Sequence, residues 1–425
     1  MKTKQICLLA VLLFLCSCTR PAPPDPLPDE PSRPGWTCLP SDDRAFEGRS
    51  RNMSEMLQVT ENYLYFNGGD WDGAVPMRLN LETGNVTSVC PDPLCTHDSP
   101  DCPLYGTNGF IAPDDASILA RRMYSATEDT ITGQEISERV NQIMRFEPGT
   151  GKRIVLEELG TQGGFSPEVY AGKYRFYNAQ IYDDEGEWIG GLARMDLGNG
   201  KTELLFDGYH WLLFEKDGRV WVSDGDGFYS FEAEAASPAL RREFGGASAE
   251  AGEYASFSTD GRNLYVTEFQ KKEVRVLPMD GSAETVVTVD FADYNYRLYP
   301  TENWLYYFSG KTTVIGDARV SGYASDKVEL YGTEFRRCRA DGSEDTGVFR
   351  FEGEYASFRP IHIAVAGRYL YCTYSWWEDP DGDGVFRDGG QHYSFPVNGH
   401  DNCSLLRIDC ETGEAEIVTI REGTK

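Results

Sequence analysis

The chain has 425 residues and carries 68 acidic against 40 basic side chains, a formal charge of −28. That balance argues against nucleic acid, which needs clustered Lys and Arg, and favours solubility, cations and basic partners. Length alone would divide the chain into two or three domains, a division that internal repeats make unnecessary.

At the start, Met1-Lys2-Thr3-Lys4 precedes an apolar run from Ile6 to Leu15 and then Cys16-Ser17-Cys18. A basic start, a short apolar core and small residues before a cut form a secretory leader, expected over 1–17. The run is too short to cross a bilayer, which takes about 20 residues. Losing Lys2 and Lys4 with the leader takes the formal charge to −30. Thr19–Pro40 holds eight prolines. Such a segment cannot bury a core and serves as a semi-rigid spacer, so 18–40 is read as a tether and 41–425 as the folded domain.

Seven units follow, each of short apolar runs separated by Gly-containing turns. The first has Tyr63–Phe66, Met77–Leu81 and Val86–Val89; the second Ser117–Arg122, Gln142–Phe146 and Arg153–Leu156; the third Lys173–Ile181, Leu192–Leu197 and Thr202–Phe206. The fourth has Trp211–Phe214, Arg219–Val222, Gly227–Phe231 and a weaker Leu240–Phe244. The fifth, Tyr254–Asp290, is the clearest: four runs and three turns, among them Thr259-Asp260-Gly261-Arg262 and Met279-Asp280-Gly281-Ser282. The sixth has Trp304–Phe308, Leu330–Arg336 and Val348–Phe351, and the last Ile361–Ala366, Tyr369–Tyr374, Ser404–Asp409 and Ala415–Ile420. β-branched and aromatic runs joined by Asp-Gly or Thr-Gly read as hairpins, the glycine supplying positive φ. The expected fold is all-β: a β-propeller of seven four-stranded blades, in which radial closure protects the strand edges. A β-sandwich or two smaller all-β domains is the competing architecture.

Several stretches resemble known families. Phe257–Tyr265 (FSTDGRNLY) resembles the Ser-x-Asp-Gly-x-x-Leu-Tyr repeat of TolB-type propellers, and Met279–Ser282 and Ala340–Ser343 resemble the turns of YWTD-like propellers. Leu15–Cys18 resembles the bacterial lipobox, which implies a diacylglycerol on Cys18 and a chain anchored at the extracytoplasmic face of a bacterial cell membrane. The mature chain is similar to uncharacterised propeller lipoproteins of Firmicutes with a Cys-x4-Cys-x-His-x4-Cys block after the first blade, here Cys90, Cys95, His97 and Cys102. That likeness speaks to fold and is silent on activity.

In a four-stranded blade, the loops from second to third strand and from one blade to the next share a face. Long insertions fall there: Asn67–Val75, Ser125–Asn141, Tyr182–Gly191, Gly310–Glu329 and Trp376–Asn402. Long loops on a rigid scaffold are where function concentrates. They carry Trp71, Trp188, Trp376 and Trp377, half of the eight Trp, beside acidic residues. A Trp face can stack on a sugar while carboxylates accept its hydroxyl hydrogens; the plainer reading packs each Trp under its own loop.

Two metal sites are also expected. Asp379, Asp381 and Asp383 alternate along a Gly-containing turn, the Val385 carbonyl follows, and Asp388 replaces the missing distal Glu of an EF-hand loop, a set for Ca²⁺; otherwise it is a solvated acidic turn. Cys90, Cys95, His97 and Cys102 form a tetrahedral Zn²⁺ set, or their thiols enter disulfides in an oxidising compartment. By chain order this block belongs on the long-loop face. His210, His362, His392 and His400 could ligate a metal or transfer protons, although a lone loop His is ordinarily only hydrogen-bonded. Gly-x-Ser-x-Gly, P-loop and His-Glu-x-x-His motifs do not occur. The expectation is a monomeric, membrane-anchored binding or scaffold module for glycans or envelope proteins. Its alternatives are a glycan hydrolase or lyase on the same face and a structural partner in a membrane complex.

Overall fold

The computed structural model describes residues 57–68, 75–92, 95, 102–126, 138–158, 167–182, 188–224, 226–245, 255–268, 272–292, 295, 297–316, 319–320, 327–355, 358–378, 385–392 and 403–420. Blade 1 is Leu57–Val59 (β1), Tyr63–Gly68 (β2), Val75–Asn80 (β3) and Val86–Ser88 (β4); blade 2 is Thr107–Ile111 (β5), Ile118–Ala126 (β6), Glu138–Glu147 (β7) and Lys152–Glu158 (β8). Blade 3 comprises Val169–Ala171 (β9), Tyr174–Tyr182 (β10), Trp188–Asp196 (β11) and Thr202–Asp207 (β12). Blade 4 comprises Trp211–Lys216 (β13), Arg219–Ser223 (β14), Gly227–Glu232 (β15) and Arg241–Gly245 (β16). Blade 5 is Ala255–Thr259 (β17), Asn263–Glu268 (β18), Glu273–Pro278 (β19) and Thr285–Thr288 (β20). Blade 6 holds Tyr299–Pro300 (β21), Leu305–Gly316 (β22), the inserted Arg319–Val320 (β23), Lys327–Cys338 (β24) and Thr346–Arg350 (β25). Blade 7 holds Arg359–Ala366 (β26), Tyr369–Glu378 (β27), the inserted Val385–His392 (β28), Cys403–Asp409 (β29) and Ala415–Ile420 (β30). Among the described residues the one helical turn is Gly353–Tyr355, and no helix is long and apolar enough to cross a membrane.

Seven apolar clusters show why this is a closed ring. Each joins two consecutive blades, and one of them joins Leu64, Phe66 and Leu79 of blade 1 to Ala364, Tyr371 and Leu405 of blade 7. Among the described residues no strand is exchanged at the closure, and side-chain packing joins the last blade to the first. The second strands carry this packing on both faces. Leu264 and Val266 of β18 face blade 4, whereas Tyr265 between them faces blade 6. In β2, Leu64 and Phe66 face blade 7 and Tyr65 faces blade 2. A strand buried on both faces reads as a continuous apolar run rather than an alternation, which explains the recurrent Leu-Tyr pairs.

The Asp-Gly turn of the fifth unit has a definite mechanism. Asp260 Oδ1 accepts the amides of Arg262 and Asn263, both at 2.7 Å, and Oδ2 accepts the Tyr265 hydroxyl at 2.6 Å. Gly261 takes φ 81°, a left-handed conformation in which a side chain is strained. One carboxylate thereby fixes the turn and satisfies a buried phenol, whose pKa burial, then Asp260, raises above its ordinary value.

Two features differ from the sequence reading. The inner strands β1, β9 and β21 are only two or three residues long, too short for a periodicity. Much of three inserted segments is strand rather than loop: β22 and β24 run 12 residues each, β6 and β7 9 and 10, and β10 and β11 9 each. The pairing of β22 with β24 continues past the apolar run of β22, from Gly310 with Thr333 to Gly316 with Lys327, because a ladder is held by backbone bonds that need no particular side chain.

Candidate functional site

Chain order gives the ring two unlike faces. One carries the short turns between first and second and between third and fourth strands. The other carries the raised hairpins β6–β7, β10–β11, β22–β24 and β27–β28. On this second face β27 pairs with β28 in its outer half, Glu378 opposite Arg387, while its inner half pairs with β29. β28 in turn takes β23 as a parallel neighbour, Arg319 beside Val385 and Val320 beside Phe386. Insertions of blades 6 and 7 thus share backbone pairing.

The predicted ligand residues distribute over this face as follows. Trp188 opens β11 opposite Tyr182, and Trp376 and Trp377 belong to β27, with a register irregularity between Ser375 and Trp377. They are strand residues, not loop residues, because the ladders extend further than the sequence suggests. Val385 opens β28, and Asp388 lies opposite Trp377. Cys18, Trp71, His97, Asp379, Asp381 and Asp383 lie outside the described residues, as does His400.

Cys90, Cys95 and Cys102 are brought together, their Sγ atoms all within 4.8 Å of one another, and they stand as thiols. Cys90 and Cys102 are buried and Cys95 is half-buried. The described residues of the connection between β4 and β5 lie in a blade seam rather than on the hairpin face. β4 ends after three residues, and the chain turns into the seam between blades 1 and 2. There Cys90 and Cys102 pack with Tyr65, Leu104, Phe110 and Met144. Pro91 comes against Gly151 of the β7–β8 turn, where an added Cβ would lie 3.1 Å from its ring.

Local bonds fix the three sulfurs. The Cys95 amide donates to the Asp92 carbonyl at 3.2 Å, closing a turn. The Leu104 amide donates to Cys102 Sγ at 3.4 Å. Arg122 of β6, 4% exposed, donates from Nε to the Tyr105 carbonyl at 2.8 Å and from Nη2 to the Cys102 carbonyl at 3.3 Å. The neighbouring Cys90 sulfur, then burial, pushes the Cys102 thiol well above the usual thiol range. Three further cysteines are packing groups, Cys338 in the blade 5–6 core and Cys372 and Cys410 in the blade 6–7 core. Burial raises Cys338 to about 11 and Cys410 to about 12, which leaves them unreactive.

The same seam opens on the short-turn face as a cleft of about 660 Å³ lined by Asn62, Arg78, Asp115, Arg145, Glu147 and Thr150, among others. The Arg78 guanidinium lies 4.5 Å from the Tyr63 ring centre, Asp115 accepts the Asn62 side-chain amide at 2.6 Å, and Glu147 accepts the Thr150 hydroxyl at 3.1 Å. Two guanidiniums face two carboxylates, so the cleft suits a small polar molecule rather than a strong anion. Sequence reasoning missed it because it is assembled from four separate turns, none with a distinctive spacing.

Two of the histidines are structural. The buried His210 amide donates to Asn178 Oδ1 at 3.1 Å, and Asn178 returns a bond to the His210 carbonyl at 2.7 Å. His362 of β26 is half-buried; burial, then the positive charge of Arg297, holds its pKa down to about 4.

No protein family matches the chain, and no curated protein matches it. Among solved structures it is similar to an oligogalacturonate lyase in complex with manganese, at 11% identity and a TM-score of 0.42 over 82% of this chain and 95% of that one. It is similar to TolB from Acinetobacter baumannii at 10% identity and a TM-score of 0.36 over 67% of this chain and 63% of that one. A prolyl endopeptidase matches at 11% identity and a TM-score of 0.47 over 88% of this chain but only 50% of its own. At these identities and scores the likenesses say nothing of activity; the propeller architecture rests on the seven blades themselves.

Proposed function

We propose that the chain is a binding module, a propeller that presents its raised-hairpin face to a glycan or a cell-envelope protein. In this reading Cys18 carries the lipid anchor, the Pro-rich tether spaces the ring from the membrane, and the domain works as a monomer on the extracytoplasmic face of a bacterial cell. The observation that carries the reading is the parallel pairing of β23 with β28. It ties the insertions of blades 6 and 7 into one ridge that includes Trp376 and Trp377, and a ligand platform needs such rigidity. Ca²⁺ held by Asp379, Asp381, Asp383, the Val385 carbonyl and Asp388 would stiffen the turn between β27 and β28. In the cysteine block, His97 is the candidate fourth ligand of a Zn²⁺ ion.

A glycan array probed with the full chain tests the reading. Binding that is lost in Trp376→Ala and Trp377→Ala, with the glycans recovered unchanged, supports a binding module; cleaved or unsaturated products would instead make this face a hydrolase or lyase. No binding to any glycan or envelope extract would sink it. For the acidic turn, an unchanged melting temperature in millimolar Ca²⁺ would remove the calcium site.

A further inference from the structure

Blade 1 is the slightest of the seven. β1 and β4 have three residues each, so its outer edge offers little ladder against which blade 2 can rest. Among the described residues after β4, three thiols meet in the seam with blade 2, two of them buried. Sulfur atoms make only weak hydrogen bonds. Cys338, Cys372 and Cys410 are buried singly or beside apolar groups in other cores; what sets this seam apart is that three sulfurs meet at one point.

The trio has the dimensions of a metal site. Zn–S bonds of about 2.3 Å place tetrahedral sulfurs about 3.8 Å apart. The observed spacing, all within 4.8 Å, closes on an ion by side-chain rotation. The surroundings suit thiolates: the Leu104 amide already points at Cys102 Sγ, and the buried Arg122 is bonded to the Cys102 carbonyl. Three thiolates and one divalent cation leave a single negative charge, which the Arg122 guanidinium balances. Thiolate ligands select a soft or borderline ion and reject Ca²⁺ and Mg²⁺.

We propose that Cys90, Cys95 and Cys102 hold a structural Zn²⁺ that pins blade 1 to blade 2, independently of whatever the hairpin face binds. Each thiol gives its proton to solvent as its S–Zn bond forms, and nothing is oxidised or reduced. Arg122 is a positioning residue that holds the Cys102 turn. The fourth ligand sets the lability of the ion rather than its identity.

The test uses the full chain purified without chelator. Elemental analysis should find one zinc per chain. Exchange with Co²⁺ should produce the sulfur-to-cobalt charge-transfer band and the visible bands of a tetrahedral thiolate site. Cys95→Ala, at the half-buried position, should lose the zinc and melt several degrees lower, while Cys338→Ala keeps the metal. Should Cys102→Ala fail to fold, the wild-type cobalt spectrum and Cys95→Ala still decide. Substoichiometric zinc, a cobalt spectrum without sulfur charge transfer, zinc retained by Cys95→Ala, or peptide mass spectrometry finding two of the three cysteines in a disulfide would each overturn the proposal. Zinc retained in a protein that binds no glycan would refute only the ligand reading.

Discussion

Blades 4 and 5 meet differently from blades 1 and 2. The first seam is apolar and aromatic: Phe214 stacks on Trp221 with centroids 5.2 Å apart, and Phe228 contacts the ring edges of Phe244 and Phe257 at 6.4 and 5.9 Å. The second adds polar and sulfur groups to an apolar core of Tyr65, Leu104, Phe110 and Met144. Gln58, 1% exposed, donates to the Phe110 carbonyl at 2.6 Å and accepts the Ala112 amide at 2.9 Å, Arg122 holds two carbonyls, and three thiols cluster beside them. A blade with long strands can rely on the hydrophobic effect, which is non-directional. The blade 1–2 seam adds directional bonds to that non-directional packing.

The comparison can be attacked at several points. Phe228→Ala should cost the most, about 3–5 kcal/mol for a large buried aromatic, measured by denaturant unfolding. Its effect should add to that of chelator, because the two seams are separate. Acid should act on the closing blade. His362 titrates near 4 when folded against a usual 6.5, so the unfolded chain binds more protons between those values. The stability tied to neutral His362 is complete above about pH 6.5 and falls as pH drops toward 4, by up to about 3 kcal/mol at 1.4 kcal/mol per pKa unit. His362→Phe should flatten that slope in pH-dependent melts.

Gln58→Ala leaves a buried carbonyl and amide unpaired and should cost about 1–3 kcal/mol. Its cost should change when metal is withdrawn, since it shares the seam with the thiols. Asp260→Ala, which strips the Tyr265 hydroxyl of its acceptor, should cost a similar amount with no dependence on metal. The smallest effect belongs to the exposed face of blade 5. Arg275 Nε lies 2.6 Å from Glu284, and Arg275→Ala should cost less than about 1 kcal/mol. A larger loss there would mean that surface pairs, and not the seams, govern stability.

The seven repeats were legible because strands buried on both faces announce themselves as apolar runs, and because Asp260-Gly261 and Thr412-Gly413 mark turns with positive φ glycines. What escaped the sequence has physical reasons. β21 is two residues long and carries no period. The outer part of β22, Lys311–Gly316, is held to β24 by backbone pairing, which no side-chain pattern has to announce. Arg194 reaches from blade 3 to the Ala233 and Ala235 carbonyls at 2.7 and 2.8 Å, and Arg337 from blade 6 to the Cys410 carbonyl at 3.0 Å; such bridges join residues tens of positions apart and leave no local motif. The cysteine spacing announced a cluster, but its descent into the blade 1–2 seam depends on how early β4 stops.

The most direct test of the difference between the seams is hydrogen exchange on the full chain before and after metal removal, followed peptide by peptide. If an ion clamps blades 1 and 2, chelation should speed exchange in β4, β5 and the turn from Cys102 to Thr107 while β17–β20 keep their protection. Unchanged exchange throughout, or an equal loss of protection in both seams, would contradict the account.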